Sequence, residues 1–413
     1  MTLSRTAGFW LATVVFFLVF VSTAAPSPLY GVYQAEWKFS ATVLTAVFAI
    51  YALFLLVTLL IFGSVSDHLG RRRVISLALF VNTVACALFL TAHGVAQLFA
   101  ARAVQGIAVG LATSAIGAAL IDLQPEGSGL APVFTNAGAL WGLAVGGLGA
   151  GALVQYAPAP THLVWWLLLG TSFTAALAIL TVPETSAAHP NVLPSLRPSV
   201  GIPRQARSTF VRTAPIFGAA WAVNGFYLSL GPSLAGEVFR SRNLLWGGLV
   251  IFLLTGLSGS ATVVVRTWSA PATMMTGCVA LIAGAAVTFV AVALTSAGVF
   301  LAGIALAGIG VGTAFLGSFR VLSALATPGQ RASLISAIFI AAYTAFSVPV
   351  VIAGLATSRY GLHGTGLAYC AAVAVLAAVA LVSLVLRGPA AAGNPSPVLK
   401  MDKPITNSSD CSG

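Results

Sequence analysis

The chain has 413 residues, of which 59% are apolar and only 7% charged, and it carries a formal net charge of +11. A soluble domain holds about 25% charged residues, so this composition cannot build a water-facing surface and most of the chain must face lipid. The positive charge is no nucleic-acid footprint, because the basic residues sit in short gaps between apolar runs rather than on one face of a folded domain.

A helical span needs about 20 mainly apolar residues. Twelve stretches supply them, at about 8–28, 42–62, 73–92, 96–120, 131–153, 162–182, 213–233, 243–264, 272–295, 297–319, 333–356 and 364–387. The runs are continuous rather than alternating, which excludes a barrel of strands. The first span follows Arg5, and its Ser22-Thr23-Ala24-Ala25 has the look of a signal-peptide cleavage site. The rest of the chain is equally apolar, so an uncleaved first span is expected. That span closes on Pro26-Ser27-Pro28-Leu29-Tyr30, an expected outer gate or cap, with Glu36 and Lys38 as a solvated loop pair beyond it.

Between the second and third spans the chain reads Gly63-Ser-Val-Ser-Asp67-His68-Leu69-Gly70-Arg71-Arg72-Arg73. Gly70 can take the left-handed conformation that ends a helix. Asp67 can pair with Arg71 or Arg72, or meet the positive end of another helix. Contacts of this kind can hold the inner side shut and break when two halves rock apart. Three arginines alone would mark only an inner turn; the spacing of Gly, Asp and Gly-Arg-Arg is rarer.

Arg102, in the fourth span, is the only Lys or Arg well inside a span. A charge there costs about 2.5–3.5 kcal/mol on insertion scales, so it should face the interior. Its candidate roles are substrate binding, proton coupling through neighbours such as Gln105, or a link to backbone carbonyls. Asp122, at the inner end of this span, and Asp67 are the candidate proton carriers. In the fifth span Gly142, Gly146, Gly147 and Gly151 admit close approach of another helix. A seam that opposes leak and ordinary small-residue packing are equally compatible with this spacing.

Pro183-Glu184 closes the sixth span, and the Pro-, Ser- and Arg-rich stretch 185–212 is a linker by composition. It divides the chain into an N-terminal bundle, 1–184, and a C-terminal bundle, 213–387, followed by an expected disordered cytoplasmic tail, 388–413. The seventh span offers Trp221, Asn224 and Tyr227 before Gly231-Pro232, and the eleventh offers Tyr343, Thr344 and Ser347 beside Pro349. Breaks of this kind often mark gates. With Tyr51, Gln105, Asn136 and Trp141 these side chains form the expected cavity lining; Asn224 in particular is a mid-span amide that needs a partner.

With the N-terminus inside, fourteen of the nineteen lysines and arginines fall in inner segments, and only Lys38, Arg240, Arg242 and Arg359 in outer ones. This bias predicts both termini in the cytoplasm. The spacing of Cys86, Cys278, Cys370 and Cys411 fits neither a metal site nor a disulfide framework. None of the eight acids lies within a predicted span. A cationic substrate would lack a counter-charge, so a neutral, zwitterionic or anionic one is expected, with Arg102 as the available positive group.

The loop from Gly63 to Arg72 resembles the signature of the major facilitator superfamily, Gly-x-x-x-Asp-Arg-x-Gly-Arg-Arg, with His68 at one Arg position. Arg102-Ala-Val-Gln105-Gly106 is similar to the family's Arg-x-x-Gln-Gly pattern. The fifth-span glycines resemble its exporter motif, with Gly147 in place of Pro and Ala150 in place of a Gly. The resemblance implies an all-α integral membrane protein of 12 transmembrane helices in two pseudo-symmetric six-helix bundles. It also implies a secondary transporter in a bacterial inner membrane, coupled to protons, and acting as a monomer on a small organic solute without a cofactor. Export of drug-like compounds or metabolites is the leading expectation, and uptake of a sugar or organic acid by a symporter or facilitator the alternative. No Gly-x-x-x-x-Gly-Lys-Ser/Thr loop is present to drive an ATP motor. A membrane enzyme is disfavoured by histidines scattered over loops on both sides, and a non-transporting sensor by the lack of a signalling domain.

Overall fold

The computed structural model describes residues 2–186 and 198–387. Residues 187–197 of the expected linker and the whole expected tail, with Cys411, lie outside the described residues. Every regular element described is helical. Among the described residues, ten stretches are long and apolar enough to cross a membrane. They are α1 (Arg5–Trp37), α2 (Ala41–Phe62), α3 (Arg71–Leu90), α4 (Val95–Leu123), α5 (Leu130–Tyr156), α6 (Leu163–Thr181), α8 (Leu245–Thr267), α9 (Ala270–Ala293), α10 (Ala297–Ala324) and a last stretch, Gly329–Leu386. That last stretch is two helices, α11 (328–360) and α12 (362–387), parted by Gly361 at φ 78° and ψ 164°. With α7 (Arg207–Ser229), which Arg207, Arg212 and Asn224 make less apolar, the expected twelve spans are all present. The chain is an all-α membrane protein with two six-helix bundles.

Several helix ends depart from expectation for local reasons. The first helix does not stop at residue 28. Pro26 and Pro28 fall in the first turn of a renewed helical segment, Pro26–Trp37, where a missing N–H costs nothing. Pro26 to Tyr30 are therefore buried helix, not a loop cap, and Glu36 lies on that helix. It ends at Lys38, which takes the left-handed conformation and donates its N–H to the Gln34 carbonyl. The fourth helix runs to Leu123 and carries Asp122 in its last turn. The seventh starts at Arg207, within the expected linker, and breaks at Leu230 before a short helix, Gly231–Val238, that holds Glu237.

Each half contains an even number of crossings, so residues 2–4, the loop 63–70 and residues 198–206 share one face, here called the terminal face. Most of the contact between the halves comes from two helix pairs, α2 packing on α11 and α5 on α8. On the face away from the termini the seam is sewn by hydrogen bonds. The Thr42 hydroxyl donates to the Gly354 carbonyl at 3.2 Å and lies 3.0 Å from the Ser358 hydroxyl. The Leu244 N–H donates to Gln155 Oε1 at 2.9 Å, and Asn243 Nδ2 to the Tyr156 hydroxyl at 3.0 Å. Nearer the terminal face, Trp141 Nε1 donates to the Ser260 hydroxyl at 3.3 Å. On the terminal face, the hydrogen bonds and ion pairs found for Asp67, Arg71 and Arg72 stay within the N-terminal half.

Candidate functional site

A cavity of about 220 Å³ lies between the halves. Its N-terminal wall is Phe16, Phe20 and Thr23 of α1, Tyr51 of α2, Thr113 of α4, and Thr135, Asn136 and Leu140 of α5. Its C-terminal wall is Trp221 and Asn224 of α7, Phe315 of α10, and Phe339, Tyr343 and Phe346 of α11. Trp221 organises that wall: its ring meets Tyr343 edge-on at 4.8 Å and Phe315 at 5.4 Å between centroids. Such edge-to-face pairs add about 0.5–1.5 kcal/mol beyond burial, so the aromatic surface is held in place without a ligand.

Polar groups on this surface are few and mostly committed. The Thr113 and Thr135 hydroxyls donate to carbonyls of their own helices, and Asn136 Nδ2 donates to the Pro132 carbonyl at 2.9 Å. Asn224 has a buried Oδ1 with no partner among the described residues. A buried acceptor left unpaired costs about 1–3 kcal/mol, which a ligand's N–H or O–H would offset. Among the described residues, no Lys, Arg, His, Asp or Glu lines the cavity. Residues 134–138 of α5 form one turn of π-helix, which turns Thr135 and Asn136 to the cavity; π-bulges recur at functional sites.

Of the residues expected here, Tyr51, Asn136, Trp221, Asn224 and Tyr343 line the cavity, whereas Trp141, Tyr227, Gln105, Thr344 and Ser347 do not. Tyr227 turns into the C-terminal half, its hydroxyl 2.9 Å from that of Thr288. Trp141 faces α8 at the seam. The spacing of α7 places Tyr227 three residues past Asn224, close to one turn, but the break at Leu230 and the packing of α9 decide its direction.

Arg102 and Gln105 also stand outside the cavity lining, behind Tyr51 and Thr23. Arg102 is 1% exposed. Its Nε donates to the Tyr30 hydroxyl at 2.6 Å, and its Nη1 to Gln105 Oε1 at 2.7 Å and the Thr23 carbonyl at 3.2 Å. The guanidinium lies 4.8–5.5 Å from the ring centres of Phe48, Tyr51 and Tyr30. Among the described residues no carboxylate pairs with it; hydroxyl, amide, carbonyl and three ring faces share the charge, and cation–π contacts strengthen when desolvated. Gln105 Nε2 extends the network to the Ser22 carbonyl at 2.9 Å, and Ser22, Asn82 and Ser172 continue it across three helices.

The signature loop forms a second cluster, on the terminal face. Gly70 has φ +94°, and a Cβ there would lie 2.8 Å from Glu184 Oε2. Arg71 pairs with Asp67 at 3.1 Å and with Asp122 at 2.6 Å, while its backbone N–H donates to Glu184 Oε1 at 2.8 Å. Arg72 donates to the Leu180 carbonyl, and Arg5 to the Asp122 carbonyl. The loop thus ties the ends of α1, α3, α4 and α6 within one half. The expected clasp across the halves is not formed in this conformation: every contact found for Asp67 lies in its own half. Gly63 lies in the turn after α2, where its Cβ would overlap the Leu59 carbonyl region at 2.5 Å. Glu184 and Arg5 were not singled out by the sequence, although Glu184 is the acid nearest the end of α6.

The α5 glycines serve two neighbours. Gly142 and Gly146 face α1, where a Cβ at Gly142 would lie 2.6 Å from the Phe17 carbonyl and one at Gly146 would overlap the Val21 carbonyl. Gly147 and Gly151 face α8 of the other half; their Cβ atoms would lie 2.6 Å from Ile251 and 3.1 Å from the Leu244 carbonyl. One helix is therefore fixed to its own bundle by one pair and fitted to the opposing bundle by the other.

A family model described as Major Facilitator Superfamily matches residues 12–347. The fold is also similar to solved structures of low identity. The nucleoside transporter NupG is 13% identical, with a TM-score of 0.68 over 91% of this chain and 99% of that one. A bacterial homologue of the human lysosomal transporter Spinster, solved inward-facing and unoccupied, is 15% identical, with a TM-score of 0.69 over 92% and 95%. A mutant of the peptide transporter POT in complex with sulfate is 13% identical, with a TM-score of 0.73 over 92% and 94%.

Proposed function

This chain belongs to the major facilitator superfamily of small-solute transporters, and we propose that it exports uncharged, largely apolar organic molecules by alternating access, in exchange for protons. The observation that carries this reading is the aromatic cavity between the halves, which among the described residues is lined by no charged group and by the unpaired amide oxygen of Asn224. A sugar needs many hydrogen-bonding partners and an organic acid a cation; this lining supplies neither, and Arg102 is spent on Tyr30, Thr23 and Gln105. The uptake alternative fits the site less well for that reason.

In this reading the terminal face is cytoplasmic in a bacterial inner membrane, and the conformation is closed outside and open inside. The bundles 1–184 and 213–387 rock about the cavity, with 185–212 as the cytoplasmic linker. Gly147 and Gly151 mark the moving seam. Asp67, Gly70, Arg71 and Arg72 clasp the inner side when it closes, and Asp67 and Asp122 carry protons there. Arg102 and Gln105 shape the wall behind Tyr51. The test is flux in proteoliposomes under an imposed pH gradient, screened across uncharged aromatic amides and alcohols. Gradient-dependent flux that Trp221→Ala and Asn224→Ala each lower about tenfold, or about 1.4 kcal/mol, is expected. Flux confined to sugars or charged solutes and indifferent to both variants would reject it.

A further inference from the structure

A second hollow, of about 550 Å³, lies between α2 and α11 on the lipid-facing side of the protein. Its walls include Ala49 and Leu53 of α2 and Tyr343, Thr344, Ser347 and Val348 of α11. Leu53 and Val348 are 53% and 51% exposed. Ala49 and Leu53 lie 8 and 12 residues into α2, about 12–18 Å from its end at a rise of about 1.5 Å per residue. The groove therefore opens near the middle of a hydrocarbon core about 30 Å thick, not at the headgroups.

Two observations connect this groove to the transport site. Tyr343 lines both hollows, and it is the one residue they share among those described. On either helix the partition is a single residue thick in sequence: Tyr51 faces the cavity and Ala52 the groove, Phe346 the cavity and Ser347 the groove. The groove also presents Thr344 and Ser347, whose hydroxyls form no hydrogen bond among the described residues. Serine and threonine in a helix ordinarily donate to the carbonyl one turn back, as Thr357 does to Ala353. Unpaired polar groups at this depth are costly, and an acyl chain alone does not relieve them.

We propose that the groove between α2 and α11 is a lateral entry for the substrate, an uncharged lipophilic molecule bearing a hydrogen-bonding group, which passes from the bilayer core to the cavity when the Tyr343 ring swings aside. The inference rests on the cavity reading above and adds the phase from which the substrate comes. A molecule dissolved among acyl chains would meet the hydroxyls of Thr344 and Ser347 first, then Trp221 and Asn224 beyond Tyr343.

Photolabelling of the full chain in proteoliposomes tests the route. The lipophilic probe is a phenyldiazirine carrying a hydroxymethyl group; the control is a membrane-impermeant sulfonated diazirine in the aqueous phase. Labelled peptides are read by mass spectrometry. Ser347→Trp and Ala49→Trp fill the groove from facing helices, and neither position lines the cavity. Each is expected to lower lipophilic labelling of the peptide containing Trp221 and Asn224 about tenfold, with sulfonated labelling of that peptide unchanged. Undiminished lipophilic labelling in either variant would overturn the proposal. Joint loss of both labels in both variants would also overturn it, because the substitutions would then act on the cavity and not on a route to it. Failure of the sulfonated probe to reach the cavity of the unaltered protein would count instead against the solvent-open cavity of the proposed function. Disulfide-linked dimers of a Ser347→Cys variant lacking Cys411 would assign the groove to contact between copies and end the proposal.

Discussion

Arg102 shows how hydroxyl, amide, carbonyl and ring faces can hold a charge inside a membrane protein. Its hydrogen bonds to Tyr30, Gln105 and Thr23 tie α4 to α1. Arg102→Ala leaves the Tyr30 hydroxyl and the Gln105 carbonyl short of a donor, at about 1–3 kcal/mol for each buried group. Thermal unfolding in detergent should show a lowered midpoint. Arg102→Lys should recover little of it, because a point charge cannot replace the planar fork. Asp67→Asn should behave in the opposite way, impairing flux while leaving the unfolding midpoint nearly unchanged, since its partner Arg71 keeps Asp122 and Asp67 is half exposed. A midpoint lowered as much as in Arg102→Ala would remove the gating role of Asp67. The interior placement of Arg102 was legible because no other basic residue falls deep in a span. Its partner was not: Pro26 and Pro28 read as the end of the first span, whereas both suit the start of a helical segment, and the chain continues far enough to deliver Tyr30.

Among the elements, α5 separates fixed from moving contacts. Gly146→Val drives a side chain into the Val21 backbone of the same bundle, so lost stability is the expected result, read as a lower unfolding midpoint. Gly147→Val meets Ile251 across the seam. It should instead pry the halves apart on the face away from the termini, read as faster maleimide labelling of an Asn243→Cys variant with little change in midpoint. Equal destabilisation by both would mean that the seam does not move. Gly361 sits in a region open almost only to glycine, and Gly361→Ala should cost about 1–3 kcal/mol. Chemical denaturation monitored by circular dichroism would check this. The twelve-span count was readable from apolar runs alone. The two roles of the α5 glycines were not, since spacing records that a face is small but not which helix meets it.

For the whole molecule, the cavity exists only where the two bundles meet, and this limits what a linear reading can find. Trp221, Asn224 and Tyr343 stood out as polar or aromatic groups in apolar runs. Phe315, Phe339 and Phe346 did not, because a phenylalanine in such a run looks the same whether it faces lipid, core or cavity. Tyr227 was misplaced for the same reason. The linked claim is that this cavity is exposed to one side of the membrane at a time. It is tested most directly with an Asn136→Cys variant lacking Cys411, labelled by an impermeant maleimide in vesicles of known orientation. Asn136 is exposed to the cavity. The account predicts labelling from the terminal face and, more slowly, from the opposite face, with Gly147→Val shifting the balance toward the latter. Labelling from one face alone, unchanged by Gly147→Val, would contradict alternating access.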